Sequence, residues 1–343
     1  MKKINRRTVF LADTRKITVS APGKLMLLGE HSVVYGRPCL VTAVDQRIQA
    51  TVELTDLPTG RQGKPFFELN APDVGVIGYK KPMSELGIGE IPKGAKIVEV
   101  AIKNFINGIQ GLTDIKVTTK SQFSSEFGFG SSSASTVCVI KALSELTGKK
   151  LSNQQIFDLS YKTVLDIQGK GSGFDVAAAT FGGTLYYITP GKNIQPLKIN
   201  HLPLIVGYSG IKFDTVRLID EVAKKAQKYP QIINNVYDQI GKLVELAKKA
   251  ILTSDWQRLG ELMNLNEGYL SILGVEGRKL SSMIYAAREA GAYGAKLSGA
   301  GMGDCMIALA APNKLAAVKK AITQAGGQMI DVKENVEGVR IES

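Results

Sequence analysis

Cysteine and histidine are scarce in this sequence of 343 residues. It contains two histidines and only three cysteines, Cys39, Cys138 and Cys305, which lie far apart and form no CxxC pair. A disulfide framework, or a zinc site built from these residue types, is therefore not expected. A bound metal ion would need oxygen ligands, which favours magnesium over zinc.

Long hydrophobic runs are also absent. No stretch approaches the ~18 apolar residues that a membrane-spanning helix needs. The N-terminal segment 1–16 is basic, but its longest apolar run extends only from Val9 to Ala12. This run is shorter than the hydrophobic core of a signal peptide, which has about 7–15 residues. We therefore predict a cytoplasmic protein that does not contact the membrane.

Aromatic residues are few, whereas positive charge is in excess. Lysine and arginine number 43 against 31 acidic residues, a net charge of +12, and aromatic residues make up 7% of the chain. Such an excess favours anionic partners, although it also promotes solubility. The basic residues are spread along the chain and few aromatic rings are available to stack on bases. The sequence thus favours a small phosphorylated ligand over nucleic acid.

The order of sequence patterns indicates an α+β protein with two lobes. Strand-like patterns are found at 17–19, 25–28, 40–44, 48–54, 115–119, 183–188, 204–208 and 305–310. Helical patterns are found at 96–109, 136–148, 152–168, 215–287 with a break at Pro230, and 313–325. The segment 55–95 is rich in glycine, proline and lysine and predicts hairpin loops with weak order. A further loop at 190–203 predicts a boundary between domains 1–195 and 196–343.

The most informative segment is a glycine- and serine-rich loop that leads into a helix. Its residues are Gly128, Phe129, Gly130, Ser131, Ser132 and Ser133. Glycines allow backbone amides to approach a ligand, and the N-terminus of the following helix attracts anions. The serine hydroxyls are donors for phosphate and oxygen ligands for magnesium. The alternative interpretation is an ordinary turn and helix cap.

This loop matches none of the common nucleotide-binding motifs. The sequence has no GxxxxGK[ST] segment, and Ser133 occupies the last glycine position of a GxGxxG pattern. The HRD and DFG motifs of protein kinases are missing as well. A bound nucleotide would therefore require a different architecture.

Two further glycine-rich loops carry carboxylates. The loop from Gly169 to Asp175 ends in an aspartate that can accept or orient the proton of a substrate hydroxyl, or simply cap a turn. The loop from Ser298 to Asp304 can form the wall of a phosphate site or a tight turn.

A lysine and an acid–histidine pair lie near the N-terminus. Lys24 follows Ala21-Pro22-Gly23, and Glu30 and His31 follow Gly29. A lysine beside a reacting oxygen would stabilise developing negative charge. Glu30 and His31 can hydrogen-bond a polar substrate. The alternatives are a solvated strand lysine and a structural histidine.

Taken together, four segments resemble the GHMP kinase superfamily of small-molecule kinases. They are APGKLMLLGEHSVVYG, FGFGSSSAS, GSGFDVAAATFGG and AKLSGAGMGDC, in this order over nearly the whole chain. Within the superfamily, GEHSVVYGRPCLVTAVDQR and LMNLNEGYLSILGV are similar to mevalonate kinases. In contrast, QGKGSGFDVAAA and the GDC ending are similar to phosphomevalonate kinases.

The resemblance implies a ribosomal-S5-like N-terminal lobe, a ferredoxin-like C-terminal lobe, and a site between them that uses ATP and Mg²⁺. The residues that it assigns to ATP are Gly128, Gly130, Ser131, Ser132 and Ser133, with Ser132 also a magnesium ligand. It assigns catalysis to Asp175, which would take or orient the proton of the acceptor, and to Lys24, which would stabilise the reacting oxygens. It assigns the acceptor site to Glu30, His31, Gly299, Ala300 and Gly301.

Three positions depart from the family pattern. Val164 stands where mevalonate kinases usually carry a magnesium-binding glutamate, and Asp166 lies about 200° further around a helix. Ser133 replaces an alanine, and we predict that its extra hydroxyl is harmless. Asp304 replaces a glycine and is predicted to add negative charge near a phosphate site.

The resemblance implies phosphorylation of the 5-hydroxyl of mevalonate in isoprenoid biosynthesis. The alternative acceptor is phosphomevalonate, which would suit the net positive charge. A binding protein without catalytic activity is disfavoured because Lys24 and Asp175 are both present. A homodimer is left open.

Overall fold

The structure is a computed structural model that describes residues 14–55, 65–107, 113–199 and 201–342. It contains an eight-stranded and a four-stranded sheet with helices packed on both, which confirms the predicted α+β class. Within the described residues, no helix combines the length and the apolar character needed to cross a membrane. The segment 1–13, on which the prediction about a signal peptide depends, lies outside the described residues.

The described residues form twelve strands and nine α-helices. The strands are β1 (Thr14–Leu28), β2 (Pro38–Thr55), β3 (Phe66–Ala71), β4 (Val76–Pro82), β5 (Asp114–Ser121), β6 (Thr184–Ile188), β7 (Asn193–Leu197), β8 (Leu204–Tyr208), β9 (Gly294–Ser298), β10 (Cys305–Leu309), β11 (Gln328–Ile330) and β12 (Arg340–Glu342). The helices are α1 (Lys93–Ile106), α2 (Ser131–Leu146), α3 (Asn153–Gln168), α4 (Phe174–Phe181), α5 (Thr215–Lys228), α6 (Pro230–Leu252), α7 (Trp256–Leu273), α8 (Arg278–Glu289) and α9 (Leu315–Gln324).

The first sheet has the order β12-β1-β2-β5-β3-β4, with β6 and β7 attached beside β2. Each of the long antiparallel strands β1 and β2 joins two stretches that the sequence patterns separate. The register of β1 shifts between Pro22 and Gly23, so the strand continues through a bulge where the alternation of its side chains is interrupted. A Cβ atom on Gly23 would lie 3.1 Å from the Cβ of Phe129, so a larger residue would fit only if its neighbours shifted slightly.

The prediction of weak order for 55–95 is wrong for the described part of that segment. Residues 65–95 include the hairpin β3–β4, and β3 also pairs in parallel with β5. Phe67 and Leu69 on β3 are fully buried, and Met83 is nearly so. Burial of these side chains stabilises a hairpin whose glycines and prolines suggest a loop.

Helix α2 lies in the middle of the first lobe. The loop that precedes it borders the cleft described below. The helix packs directly on β1 and β2, and α1, α3 and α4 pack around it. Most of its residues are buried, including Val137, Ile140 and Leu143. A helix buried on nearly all sides has little freedom to move, so the loop that precedes it is held in place.

The second sheet has the order β11-β8-β10-β9, and all of its pairs are antiparallel. Along the chain the order is one strand, the helices α5 to α8, two strands, α9 and a last strand. This is the βαββαβ arrangement of a ferredoxin-like fold. The predicted ferredoxin-like C-terminal lobe is therefore confirmed.

The end of the chain returns to the first lobe. β12 pairs with β1, and the buried guanidinium of Arg47 donates to the carbonyls of Glu337, Gly338 and Ser20. The division into 1–195 and 196–343 stays a prediction, and residues 340–342 belong to the first sheet.

Candidate active site

A cleft of about 1110 Å³ lies between the lobes and is lined by parts of all three glycine-rich loops. A pocket for one small molecule usually has about 300–1,000 Å³, so this cleft is at the large end of ligand sites. The lining includes Lys24, Glu30, His31, Gly128, Gly130, Ser131, Ser132, Ser133, Asp175, Gly299, Ala300 and Asp304. Gly301 is not part of the lining. It packs against Val275, whose carbonyl oxygen would lie 2.2 Å from a Cβ atom at this position.

The loop before α2 has the conformation of an anion cradle. Gly128 and Gly130 have φ values of 74° and 79°, and Gly130 is the N-cap of α2. The first turn of α2 contains no acidic residue, so its N–H groups and positive dipole end are not neutralised by the helix itself. The hydroxyls of Ser131 and Ser132 have no hydrogen-bond partner among the described residues and border the cleft.

Two tyrosine hydroxyls bind the backbone of the second glycine-rich loop, which runs from Gly169 to Asp175. The Tyr161 hydroxyl donates to the Gly171 carbonyl at 2.7 Å, and the Tyr187 hydroxyl donates to the Ser172 carbonyl at 2.6 Å. Gly173, with φ of 83°, is the N-cap of α4 and has no room for a side chain beside Tyr187. These contacts fix the start of α4 and with it Asp175.

Asp175 and Lys24 face each other across Gly130. A Cβ atom on Gly130 would lie 3.3 Å from Cε of Lys24 and 3.5 Å from Cβ of Asp175. The Asp175 Oδ1 atom accepts from the N–H of Val176, and Oδ2 accepts from the Ser133 hydroxyl at 2.7 Å. The structure therefore brings the predicted acid, the predicted lysine and the serine-rich loop together.

Lys24 is a buried cation on β1. Its ammonium group donates to the Gly128 carbonyl at 2.6 Å and lies 5.4 Å from the centre of the Phe174 ring. Burial lowers the pKa of Lys24, and the carboxylates of Asp175 and Asp304 oppose this shift. A buried ammonium that faces the cleft interacts strongly with any anion bound there, because the surrounding dielectric is low.

The Ser133 hydroxyl, which we predict to be harmless to the site, contacts the predicted catalytic acid. The hydroxyl is buried and donates to Asp175, so it fixes the orientation of that carboxylate. The sequence shows an unusual serine but not its partner, which lies 42 positions further along the chain.

We expect Ser133→Ala to lower kcat by about tenfold, because the Asp175 carboxylate would lose a charge-assisted hydrogen bond and would rotate more freely. Steady-state kinetics would check this, with the KM for nucleotide unchanged within about twofold. Ser282→Ala, at an exposed position of α8 outside the cleft, is the control and should keep the original kcat. An unchanged kcat in Ser133→Ala would mean that the hydrogen bond does not orient the carboxylate for the reaction.

The negative charge of Asp304 is largely compensated. Its buried carboxylate accepts from the Lys212 ammonium at 3.1 and 3.3 Å. The predicted excess of negative charge near the phosphate site is thus balanced by a lysine that the sequence analysis did not identify. Lys212 borders the cleft and is 42% exposed, so its charge also reaches a bound ligand.

Glu30 and His31 border the cleft, but the Glu30 carboxylate already has partners. Lys296 forms a fully buried ion pair with it, and the Asn266 amide donates to it at 3.1 Å. Nε2 of His31 lies 2.7 Å from the Ala300 carbonyl, and burial lowers the pKa of His31. A neutral imidazole that donates from Nε2 keeps Nδ1 as an acceptor.

Asp166 does not replace the missing glutamate. It binds Lys162 and Asn104 on the outer side of α3, whereas the buried Val164 borders the cleft. The hydrogen bond from Lys162 lowers the pKa of Asp166. Among the described residues, no group of three His, Cys, Asp or Glu side chains can hold a metal ion. The oxygen donors present therefore fit a metal ion that is bound in part by a phosphate ligand and not one held by the protein alone.

Comparison with known proteins agrees with this geometry. Residues 96–183 match the GHMP kinases N terminal domain, and residues 247–328 match the family described as GHMP kinases C terminal. The mevalonate kinase of Pyrococcus furiosus is 40% identical over 339 residues, which cover 95% of this chain and 98% of the relative.

Solved structures have the same fold. The crystal structure of the Methanococcus jannaschii mevalonate kinase has a TM-score of 0.75 and 26% identity, and the match covers 94% of this chain and 98% of that one. L. major mevalonate kinase in complex with R-mevalonate has a TM-score of 0.73 and 25% identity, covering 95% and 97%. At this similarity over nearly its whole length, the chain belongs to the GHMP kinases and, within them, to the mevalonate kinase family.

Proposed function

We propose that this protein transfers the γ-phosphoryl group of ATP to the 5-hydroxyl of mevalonate. The observation that carries the proposal is the pairing of Asp175 with Lys24 across Gly130, at the head of an amide-lined loop and inside one cleft. The similarity to mevalonate kinases supports the choice of acceptor, as does the R-mevalonate in the L. major structure.

The loop from Gly128 to Ser133 and the N-terminus of α2 would bind the ATP phosphates. The N–H groups at the helix N-terminus and the helix dipole favour negative charge, and Lys212 adds a cation at the edge of the cleft. Ser132 would supply a hydroxyl oxygen to Mg²⁺. When bound, Mg²⁺ neutralises part of the phosphate charge.

Asp175 would accept the proton of the acceptor hydroxyl as its oxygen attacks the γ-phosphorus and ADP leaves. The Ser133 hydroxyl holds the carboxylate in position for this step. The Lys24 ammonium would stabilise the negative charge on the attacking oxygen and on the transferred group. Positioning and charge stabilisation provide most of the catalysis in phosphoryl transfer, so the protein need not form a covalent intermediate.

The acceptor would lie against His31, Gly299 and Ala300. The neutral imidazole of His31 offers Nδ1 as an acceptor for a substrate hydroxyl. Glu30 contacts the same wall, where its carboxylate is held by Lys296.

The choice of acceptor is tested by following ADP release with mevalonate, phosphomevalonate, galactose and homoserine. We expect kcat/KM to be at least about 100-fold higher for mevalonate than for the other acceptors, since a site built for specific polar groups discriminates by several kcal/mol. A preference for phosphomevalonate would establish the alternative acceptor. Activity with none of the four would contradict the proposal. The predicted cytoplasmic location and the homodimer stay predictions.

A further inference from the structure

A cluster of buried polar residues lies next to the part of the cleft formed by His31, Gly299 and Ala300. We call this part the acceptor wall. The members of the cluster are Glu30, Asn266, Glu267 and Lys296, and each of them is at most 3% exposed. They come from the residues just after β1, from α7 and from β9. We call them the acid–lysine cluster.

The two acids of the cluster differ in the number of their hydrogen-bond partners. Lys296 binds one carboxylate oxygen of Glu30 and the Leu297 carbonyl, and Asn266 donates to the other oxygen of Glu30. Glu267 accepts a single hydrogen bond, from the N–H of Leu297 at 2.9 Å. Its other oxygen, Oε1, has no hydrogen-bond partner within the described residues, and neither does Oδ1 of Asn266.

The charges do not balance if both acids are ionised. The cluster holds two carboxyl groups against one ammonium group, and all of them are buried, with Glu30 at the edge of the cleft. A buried carboxylate without sufficient partners is costly, whereas the protonated form removes the surplus charge. Glu30 is the acid that has two strong donors, so Glu267 is the acid whose charged form has fewer partners.

The electrostatic surroundings of Glu267 agree with this assignment. Burial raises its pKa to about 7, an effect that Lys296 opposes and that Glu276 and Glu30 reinforce. α7 packs against α6, β1, β9 and β10, of which β10 carries no charged side chain. On β1, Lys24 is bonded to Gly128, and Arg15 and Lys16 are exposed. The charged residues of α6 are exposed or half-buried on its outer side, namely Asp238, Lys242, Glu245, Lys248 and Lys249.

Lys296 connects the cluster to both parts of the acceptor wall. Through Glu30 it holds the residue that precedes His31, and through β9 it leads to Ser298 and then to Ala300. Ser298 in turn binds the backbone of Met26 on β1. His31 and Ala300 are themselves hydrogen-bonded, so the two parts of the wall are directly linked.

We propose that Glu267 is a positioning residue for the acceptor: when protonated it leaves Lys296 to Glu30 and keeps the wall formed by His31 and Ala300 in its binding geometry. When Glu267 loses its proton, the second carboxylate competes for Lys296 and the wall loosens. The proposal rests on the proposed function, because the acceptor is the ligand whose binding reports on the wall.

The sign of the pH effect follows. Glu267 is protonated below its midpoint and becomes ionised above it, so the acceptor binds more weakly as the pH rises. Apparent affinity falls with the fraction of competent protein. At pH 8, about one unit above the midpoint, that fraction is about one tenth, and we expect the KM for mevalonate to be about tenfold higher than at pH 6. We expect kcat to change much less.

The decisive variant is Glu267→Gln, a neutral side chain of the same shape as the protonated acid. We expect its KM for mevalonate to equal that of the unchanged protein at pH 6 and to stay constant up to pH 8. Glu261→Gln, on the exposed side of the same helix, is the matched control and should keep the original pH dependence. A KM that rises equally with pH in Glu267→Gln, or a flat profile in the unchanged protein, would overturn the proposal.

A second measurement does not depend on the reaction. In the protein without substrate, ¹³C NMR of the glutamate carboxyl groups should show one resonance with a midpoint near pH 7, and this resonance should be missing from Glu267→Gln. If every glutamate titrates below about pH 5.5, the protonated Glu267 is refuted even if the kinase activity is found. If the resonance is found and mevalonate is not phosphorylated, the proposed function fails and not the assignment of the proton.

Discussion

Replacing Asp175 with asparagine is expected to lower kcat by about 10³-fold, while the affinity for ATP stays within about twofold. A positioned general base contributes about 10²–10⁴-fold to a reaction, and 10³-fold corresponds to about 4 kcal/mol in the barrier. Asparagine keeps the size of the side chain and one oxygen for the Ser133 hydroxyl, but it loses the acceptor of the Val176 N–H. The variant therefore removes the negative charge and the proton acceptor with little change in packing.

Two measurements separate chemistry from binding in this variant. Single-turnover phosphorylation of mevalonate gives the rate of the chemical step, and calorimetric titration gives the dissociation constant for ATP. Asp166→Asn is a suitable control, because Asp166 lies on the outer side of α3 and binds Lys162 and Asn104 away from the cleft. A kcat for Asp175→Asn that equals that of the control would remove Asp175 from the reaction.

Features that depend on local rules could be predicted from the sequence. The position of α3 follows from the capping box of Ser152 and Gln155, where each side chain bonds to the other residue's backbone. The loop at Gly128 and Gly130 could be predicted because positive φ values favour glycine and because a helix follows directly. These signals lie within a few residues, so no knowledge of the tertiary structure is needed.

The partners of the site residues could not be predicted, because they lie far away in the chain. Ser133 meets Asp175 over a separation of 42 residues, Lys212 meets Asp304 over 92, and Glu30 meets Lys296 over 266. The first two pairings form within one lobe by packing of distant segments, and the third joins the two lobes. A lysine such as Lys212 has no local pattern that distinguishes it from the other lysines of a basic chain.

The order of residues 65–95 could not be predicted for a related reason. β3 alternates buried and half-buried residues, but its six residues are too short a signal beside the surrounding glycines and prolines. Its stability comes from pairing with β5, which follows it after α1. β12 is a similar case, because its pairing with β1 joins the two ends of the described chain.

The second large effect is expected for Lys24→Met, which should reduce kcat by about 10²–10³-fold without reducing stability. Removal of one preorganised donor from a site where negative charge develops costs about 2.7–4 kcal/mol in the barrier. Methionine keeps an unbranched apolar side chain that can pack on the Phe174 ring. It gives up the hydrogen bond to the Gly128 carbonyl and the attraction to Asp175 and Asp304.

Stability should respond differently from activity, because the folded state bears a cost for burying this ammonium group. The pKa of Lys24 is lowered mainly by burial, which means that the fold disfavours its charged form. Methionine removes that cost, and Lys212 still compensates Asp304. The melting temperature of Lys24→Met should therefore equal or exceed that of the unchanged protein, as expected where a site gives up stability for function. Lys16→Met, at an exposed position of the same strand, should alter neither property. If Lys24→Met loses melting temperature and kcat in parallel, Lys24 is a structural residue. In that case it is not the cation that stabilises the transferred phosphoryl group.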